Sequence, residues 1–194
     1  MNQKKELWRN QTLVNRTWSD SMIATEYYTL IKFTVFNYKE RMETIQNPLL
    51  HLFSHCMELI YKEVCLMGIQ CSYIKGDIEK IRKGHDLKKL SIIFKKICIK
   101  ITKERYCSKK DRNLLKNRVI PNHMKLCKVL ATETTTYRYF AKYDKIGKIK
   151  GKSVPFTKDE ESPNIMELFP LFDDCYSSVS YVWEILYYMF PMEE

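Results

Sequence analysis

Between Leu49 and Met67 the apolar residues Leu49, Leu52, Phe53, Cys56, Leu59, Ile60, Val64 and Met67 recur at steps of three and four. Those steps return to one face of an α-helix, whereas a half-buried strand would alternate every second residue. Gly68 stands just beyond, where a helix stop is expected. An all-β alternative would need turns marked by Gly and Pro, and the chain has only five Gly and six Pro among 194 residues. The expected fold is therefore all-α, an up-and-down helical bundle, in a chain long enough to bury a core without disulfides or metal.

Other segments fit the same pattern. Residues 1–18 read as an N-terminal arm and 19–194 as a single helical domain. Ser19 or Asp20 can cap a helix over Ser21–Glu43, with Ile23, Tyr27, Leu30, Ile31, Phe33, Thr34 and Tyr38 on its apolar side. Asn47-Pro48 ends that helix and starts the next. Asp77–Lys83 forms a short helical turn, Gly84 breaks it, and Asp86 caps a helix over Leu87–Lys103. There Leu87, Leu90, Ile93, Phe94, Ile97 and Ile101 face inward and the lysines mostly outward. Ser108–Leu130 reads as one or two shorter helices interrupted by Pro121. Residues 132–162, rich in Thr, Lys, Gly and charge, read as an irregular basic loop. A C-terminal helix over 164–190 is divided in two at Pro170.

Several functional classes fall away. No stretch reaches eighteen uncharged apolar residues, and the most apolar segment, Val179–Phe190, is short and holds Glu184. The polar start MNQKKELWRNQ lacks the apolar run of a leader. A cytoplasmic protein without a membrane span is expected. The seven cysteines, at 56, 65, 71, 98, 107, 127 and 175, form no C-x-x-C and read as reduced thiols. Neither a metal nor a cofactor is expected: Gly151-Lys152-Ser153 resembles the end of a phosphate loop, but Ile146 replaces its first glycine. Asp173-Asp174 and Glu160-Glu161 read as solvated acidic pairs.

Charge is distributed in blocks. Residues 71–152 hold 24 basic and 7 acidic groups, whereas residues 153–194 hold 1 basic and 9 acidic, within a formal net charge of +10. A basic block draws polyanions, because Lys and Arg displace the cations condensed on phosphates. Tyr106, Tyr137, Tyr139, Phe140 and Tyr143 are interleaved with it and offer ring faces to unstacked bases. The candidate nucleic-acid contacts are Lys95, Lys96, Lys103, Arg105, Lys109, Lys110, Arg112, Arg118, Tyr137, Arg138 and Tyr139. The competing expectation is a solvated lysine face, neutralised by the acidic C-terminal segment.

Residues 55–62 read HCMELIYK and residues 84–90 read GHDLKKL. Glu58 and Lys62 have the favoured order of a helical i,i+4 ion pair, Gly84 permits a turn, Asp86 suits a helix start, and His55 and His85 can bond between helices. In order and separation the two segments resemble the H-A-x-E-L-x-x-K and G-H-D-L-x-x-L elements of HEPN-domain proteins. Tyr137-Arg138-Tyr139 is similar to an Arg-Tyr element of some non-nuclease members. The resemblance implies a HEPN-like bundle and pairing into a homodimer, with the exposed face of the Val179–Phe190 helix as a candidate interface.

Many HEPN proteins are metal-independent RNases with an Arg-x4–6-His motif, in which Arg steadies the scissile phosphate and His moves a proton. Arg118-Val119-Ile120-Pro121-Asn122-His123 has that spacing. It departs from the pattern in two ways: Val119 replaces a polar residue, and Pro121 interrupts the helix the motif rides on. The resemblance therefore implies a non-catalytic binder of RNA or of a nucleoprotein complex in phage–host conflict, either a defence component or an inhibitor of a nucleic-acid-guided nuclease. The alternatives are an endoribonuclease using Arg118 and His123, and a helical interaction or dimerisation module.

Overall fold

The computed structural model describes residues 20–130, 141–143, 149–152 and 163–189. Its helices are α1 (Asp20–Asn37), α2 (Met42–Gln70), α3 (Ile78–Lys83), α4 (Leu87–Ile101), α5 (Lys109–Leu114), α6 (Ile120–Leu130) and α7 (Ile165–Met189). A 3-10 turn, Lys39–Arg41, joins α1 to α2, and a π-helical segment, Leu115–Val119, joins α5 to α6. The expected all-α fold is observed. The expected basic loop contributes one small antiparallel pair, β1 (Ala141–Tyr143) with β2 (Ile149–Lys152), Ala141 opposite Lys152. The N-terminal arm lies outside the described residues.

α2 is the central helix and touches α1, α3, α4, α6 and α7. Its predicted stripe is buried apart from Leu52, which is half-buried, and Leu50, Met57, Tyr61 and Cys65 are buried as well. A helix apolar on several faces is satisfied only when neighbours cover it all round. Aromatic stacking joins the helices: Phe53 of α2 lies 4.3 Å from Phe172 of α7, and Tyr28 of α1 lies 4.0 Å from Tyr176 of α7. Burial of large side chains at about 1.5–3 kcal/mol each supplies the main driving force. Cys56, Cys65, Cys98, Cys127 and Cys175 are buried as small apolar groups, and all seven cysteines are free.

Helix boundaries depart from expectation where the sequence cue had a second meaning. The helix continues past Gly68 to Gln70, and Ser72 takes the left-handed conformation (φ 57°) that ends it. Gly68 instead admits α4, since a Cβ there would lie 3.0 Å from Ile97 Cδ1. The first break falls after Asn37, and Pro48 sits inside α2, as Pro170 sits inside an unbroken α7. Each proline forfeits one ladder bond near the helix start, and the buried Leu49, Leu50, Phe169 and Phe172 alongside offset it. α1 is also turned differently from its predicted face. Of the predicted face Ile31 is buried and Ile23 and Tyr27 are half-buried, but Ala24 and Val35 are buried too, while Leu30, Phe33 and, just past the helix end, Tyr38 point outward.

Pro121 does not break its helix either. The Ile120 N–H bonds to the Leu115 carbonyl, five residues back, so the coil widens just before the proline ring. Lys109–Leu130 therefore runs as one helical rod that contains both Arg118 and His123.

Candidate nucleic-acid interface

The corner between α4 and α5 brings together most of the predicted basic contacts. Lys96, Lys103, Arg105, Lys109 and Lys110 are exposed there, with Lys95 half-buried on α4. None of them forms an ion pair with another described residue. Tyr106, at the tip, is 88% exposed.

The acidic groups at this corner are bound up in holding its shape. Ser108 caps α5: its Oγ accepts the Asp111 N–H at 3.0 Å and donates to Asp111 Oδ2 at 2.7 Å. The Tyr181 hydroxyl of α7 donates to the other Asp111 oxygen. Tyr181, then Ser108, hold the Asp111 carboxyl below its ordinary range. Glu104 accepts the Tyr73 hydroxyl at 3.1 Å, and Lys100 lies over the Tyr73 ring at 4.3 Å while donating to the Tyr73 carbonyl. Across 88–130 there are fourteen Lys and Arg against Glu104 and Asp111 alone. The tyrosine bonds leave both carboxylates charged, so it is the excess of cations in number that makes the field of this segment positive.

Two predicted contacts are engaged differently. Arg112 turns inward, its Nη2 donating to the carbonyls of Glu104 (3.5 Å) and Cys107 (3.3 Å), so it braces the corner. Arg118 is ion-paired with Asp174 of α7, whose second oxygen accepts Asn122 Nδ2 at 2.7 Å. Burial opposes the Asp174 charge, but the bonds from Arg118 and Asn122 outweigh it and hold that carboxyl below its ordinary range. Asp173 accepts the Tyr28 hydroxyl and lies 4.0 Å from Lys32, both on α1. The supposedly solvated acidic pair clasps α7 to α1 through Asp173 and to Arg118 and Asn122 through Asp174. Tyr137, Arg138, Tyr139 and Glu160-Glu161 lie outside the described residues.

His123 is buried. Its Nε2 lies 2.8 Å from Ser178 Oγ and its Nδ1 2.5 Å from the Tyr61 hydroxyl. Ser178 spends its proton on the Cys175 carbonyl at 3.0 Å, which assigns the imidazole proton to Nε2 and makes Nδ1 the acceptor from Tyr61. Burial pushes the His123 pKa down to about 3, against which the nearby Asp174 charge is a smaller effect. A neutral ring with both nitrogens engaged is a pin between α2, α6 and α7. The chemistry of proton transfer to an external ribose needs one nitrogen free.

The segments HCMELIYK and GHDLKKL meet at Glu58. Its Oε1 lies 2.9 Å from both Lys62 Nζ and His85 Nδ1. The Glu58 and Lys62 side chains are 2% and 5% exposed, whereas His85 faces solvent. Asp86 caps α4 as expected, accepting the Lys89 N–H at 3.0 Å. His55 lies 5.3 Å from Tyr27 and stacks at 6.0 Å on His51, all within α1 and α2. Gly84 has an extended backbone (φ −76°) open to any residue, so its role is closeness: a Cβ would meet the Lys80 carbonyl oxygen at 2.8 Å.

Sequence reasoning missed Tyr61, Asp174, Ser178 and Tyr181, whose partners lie 52 to 70 residues away and carry no local signal. Among the described residues no group of three or more His, Cys, Asp or Glu could hold a metal ion, and no helix is long and apolar enough to cross a membrane. No protein-family model, curated protein or solved structure matches the chain.

Proposed function

We propose that this protein binds RNA, alone or within a nucleoprotein complex, on the basic α4–α5 corner and does not cleave it. The observation that carries the reading is the excess of cations there: exposed Lys96, Lys103, Arg105, Lys109 and Lys110, none in an ion pair with another described residue, against the two carboxylates of Glu104 and Asp111. The engagement of both His123 nitrogens favours binding over catalysis. The resemblance of 55–62 and 84–90 to HEPN proteins extends the proposal to phage–host conflict, as a defence component or an inhibitor of a nucleic-acid-guided nuclease.

The test is anisotropy of labelled RNA over a salt series, with the RNA then run on a gel after incubation in EDTA. Expected are intact RNA, affinity falling steeply with salt, and a slope shallower by about one for each phosphate-contacting lysine replaced. Salt-insensitive binding, or none, would overturn the proposal. Cleavage lost in both Arg118→Ala and His123→Ala, with both variants shown still to be folded, would establish the endoribonuclease instead.

A second reading, self-association, rests on α1. Leu30, Phe33 and Phe36 leave its outer side 48–57% exposed, and no large apolar stripe of this kind is idle on most single chains. Exposed Glu26 precedes the stripe and exposed Lys39 follows it. Two copies packed antiparallel about a two-fold axis would set each Glu26 near the other's Lys39, so the surface complements itself. On this second reading the homodimer pairs through α1, whereas the C-terminal helix is the interface expected from the resemblance.

A further inference from the structure

We infer that the α4–α5 corner selects single-stranded over duplex nucleic acid by stacking one unpaired base on Tyr106. The inference rests on the reading of that corner as a nucleic-acid surface and adds what the surface distinguishes.

Among the described residues Tyr106 is the most exposed of the large hydrophobic side chains, and its ring faces no other ring. An aromatic in such a position contributes nothing to the core, and its exposure to water is unfavourable. The corner that presents it is nevertheless tightly held. Lys103, Glu104 and Cys107 donate backbone bonds to Lys100, Ile101 and Glu104 at 3.0, 3.0 and 3.2 Å. Arg112 grips the carbonyls on either side of Tyr106, at Glu104 and Cys107. The Ser108 cap and the Asp111–Tyr181 bond fasten the far side to α5 and α7. A ring on a pre-ordered turn loses little conformational freedom when a base docks on it.

Charge flanks the ring on both sides in sequence, Lys103 and Arg105 before it, Lys109 and Lys110 after it. A single strand can lay phosphates along those cations while one base turns onto the ring, the arrangement of stacking platforms in general single-strand binders. A duplex keeps its bases paired and stacked, so it can use the lysines and not the ring.

The full-length chain is titrated with a labelled single-stranded RNA, a blunt RNA duplex of the same length, and inorganic polyphosphate. Wild type is compared with Tyr106→Ala and Tyr106→Phe. The expected result is single-strand affinity about 5- to 100-fold weaker in Tyr106→Ala, the contribution of one base–aromatic stack, and unchanged in Tyr106→Phe. Duplex and polyphosphate binding should not respond to either change. If single-strand affinity is the same in Tyr106→Ala, or if duplex binding is as tight and as dependent on Tyr106, the stacking inference is wrong while the basic surface stands. If none of the three ligands binds, the reading of the surface fails, and the inference with it.

Discussion

The Tyr61 hydroxyl on α2 lies 2.5 Å from Nδ1 of His123 on α6, in a part of the core where both residues are buried. Losing the imidazole would leave the hydroxyl of Tyr61 with only the weak partner Cys127 Sγ at 3.5 Å and open a cavity beside Phe94, whose ring is 4.5 Å away. His123→Ala is expected to cost about 2–4 kcal/mol of stability, and Tyr61→Phe about 1–2 kcal/mol. Urea unfolding measures both. RNA affinity below the transition should not change, and a parallel loss of affinity would return His123 to the binding site.

The same burial dictates a pH dependence. His123 titrates near 6.5 when unfolded and near 3 when folded, so the unfolded chain takes up the proton first. Its contribution is complete above pH 6.5 and is lost progressively as pH falls towards 3. Asp174, with its folded pKa lowered from 3.8, contributes above that value and fails at still lower pH. Stability followed from pH 7 to 3 should decline, and His123→Gln should flatten the limb between 6.5 and 4. A wild-type curve level over that limb would contradict the buried neutral imidazole.

Glu58 touches both Lys62 and His85 but shares its burial only with Lys62. Removing the carboxylate would strand the Lys62 ammonium in the core, so Glu58→Gln is expected to cost about 3–5 kcal/mol. Replacing both, as Glu58→Met with Lys62→Leu, should cost less than Glu58→Gln alone, because no uncompensated charge remains. His85→Ala, on the solvent side, should cost less than about 1 kcal/mol. Thermal or urea melts of the four proteins decide this, and a double variant worse than the single would refute it.

What could be read from sequence was local. The cap at Asp86 and the inward face of α4 follow from residue types a few positions apart, and the structure has them. The prolines misled because a rule about single residues does not register what surrounds them. Pro121 is accommodated by the π-helical turn before it, and Pro48 and Pro170 sit in early turns secured by core packing. α1 was hard to orient because apolar residues occur all round it, so only contact with α2 and α7 selects Ala24, Ile31 and Val35 for burial. The candidate surface was legible as charge, but that Arg112 and Arg118 are consumed internally depends on carbonyls and a carboxylate that no short window shows.

Two glycines separate closeness from conformation. At Gly84 an added Cβ would meet the Lys80 backbone oxygen at 2.8 Å, which cannot move without unwinding the end of α3. Gly84→Ala should therefore destabilise by about 1–3 kcal/mol. At Gly68 the obstacle is the mobile end of Ile97, and alanine gains roughly 1 kcal/mol of helix propensity. Gly68→Ala should stay near neutral in the same unfolding assay. Equal losses at both sites would show that space is not what separates them.

Self-association through α1 makes the sharpest demand on the outer stripe. Phe33, at its centre, is 57% exposed and makes its one described ring contact with Tyr38 of the same segment, at 6.3 Å. Phe33→Asp would therefore spare the core while placing two carboxylates against each other across a two-fold axis. Sedimentation should show the wild type as a dimer and Phe33→Asp as a folded monomer. Glu26→Lys alone should weaken the dimer by facing a like charge, and adding Lys39→Glu should restore it, because the antiparallel pairing only exchanges the two signs. A wild type that sediments as a monomer at high concentration, or a charge swap that rescues nothing, rules out this pairing.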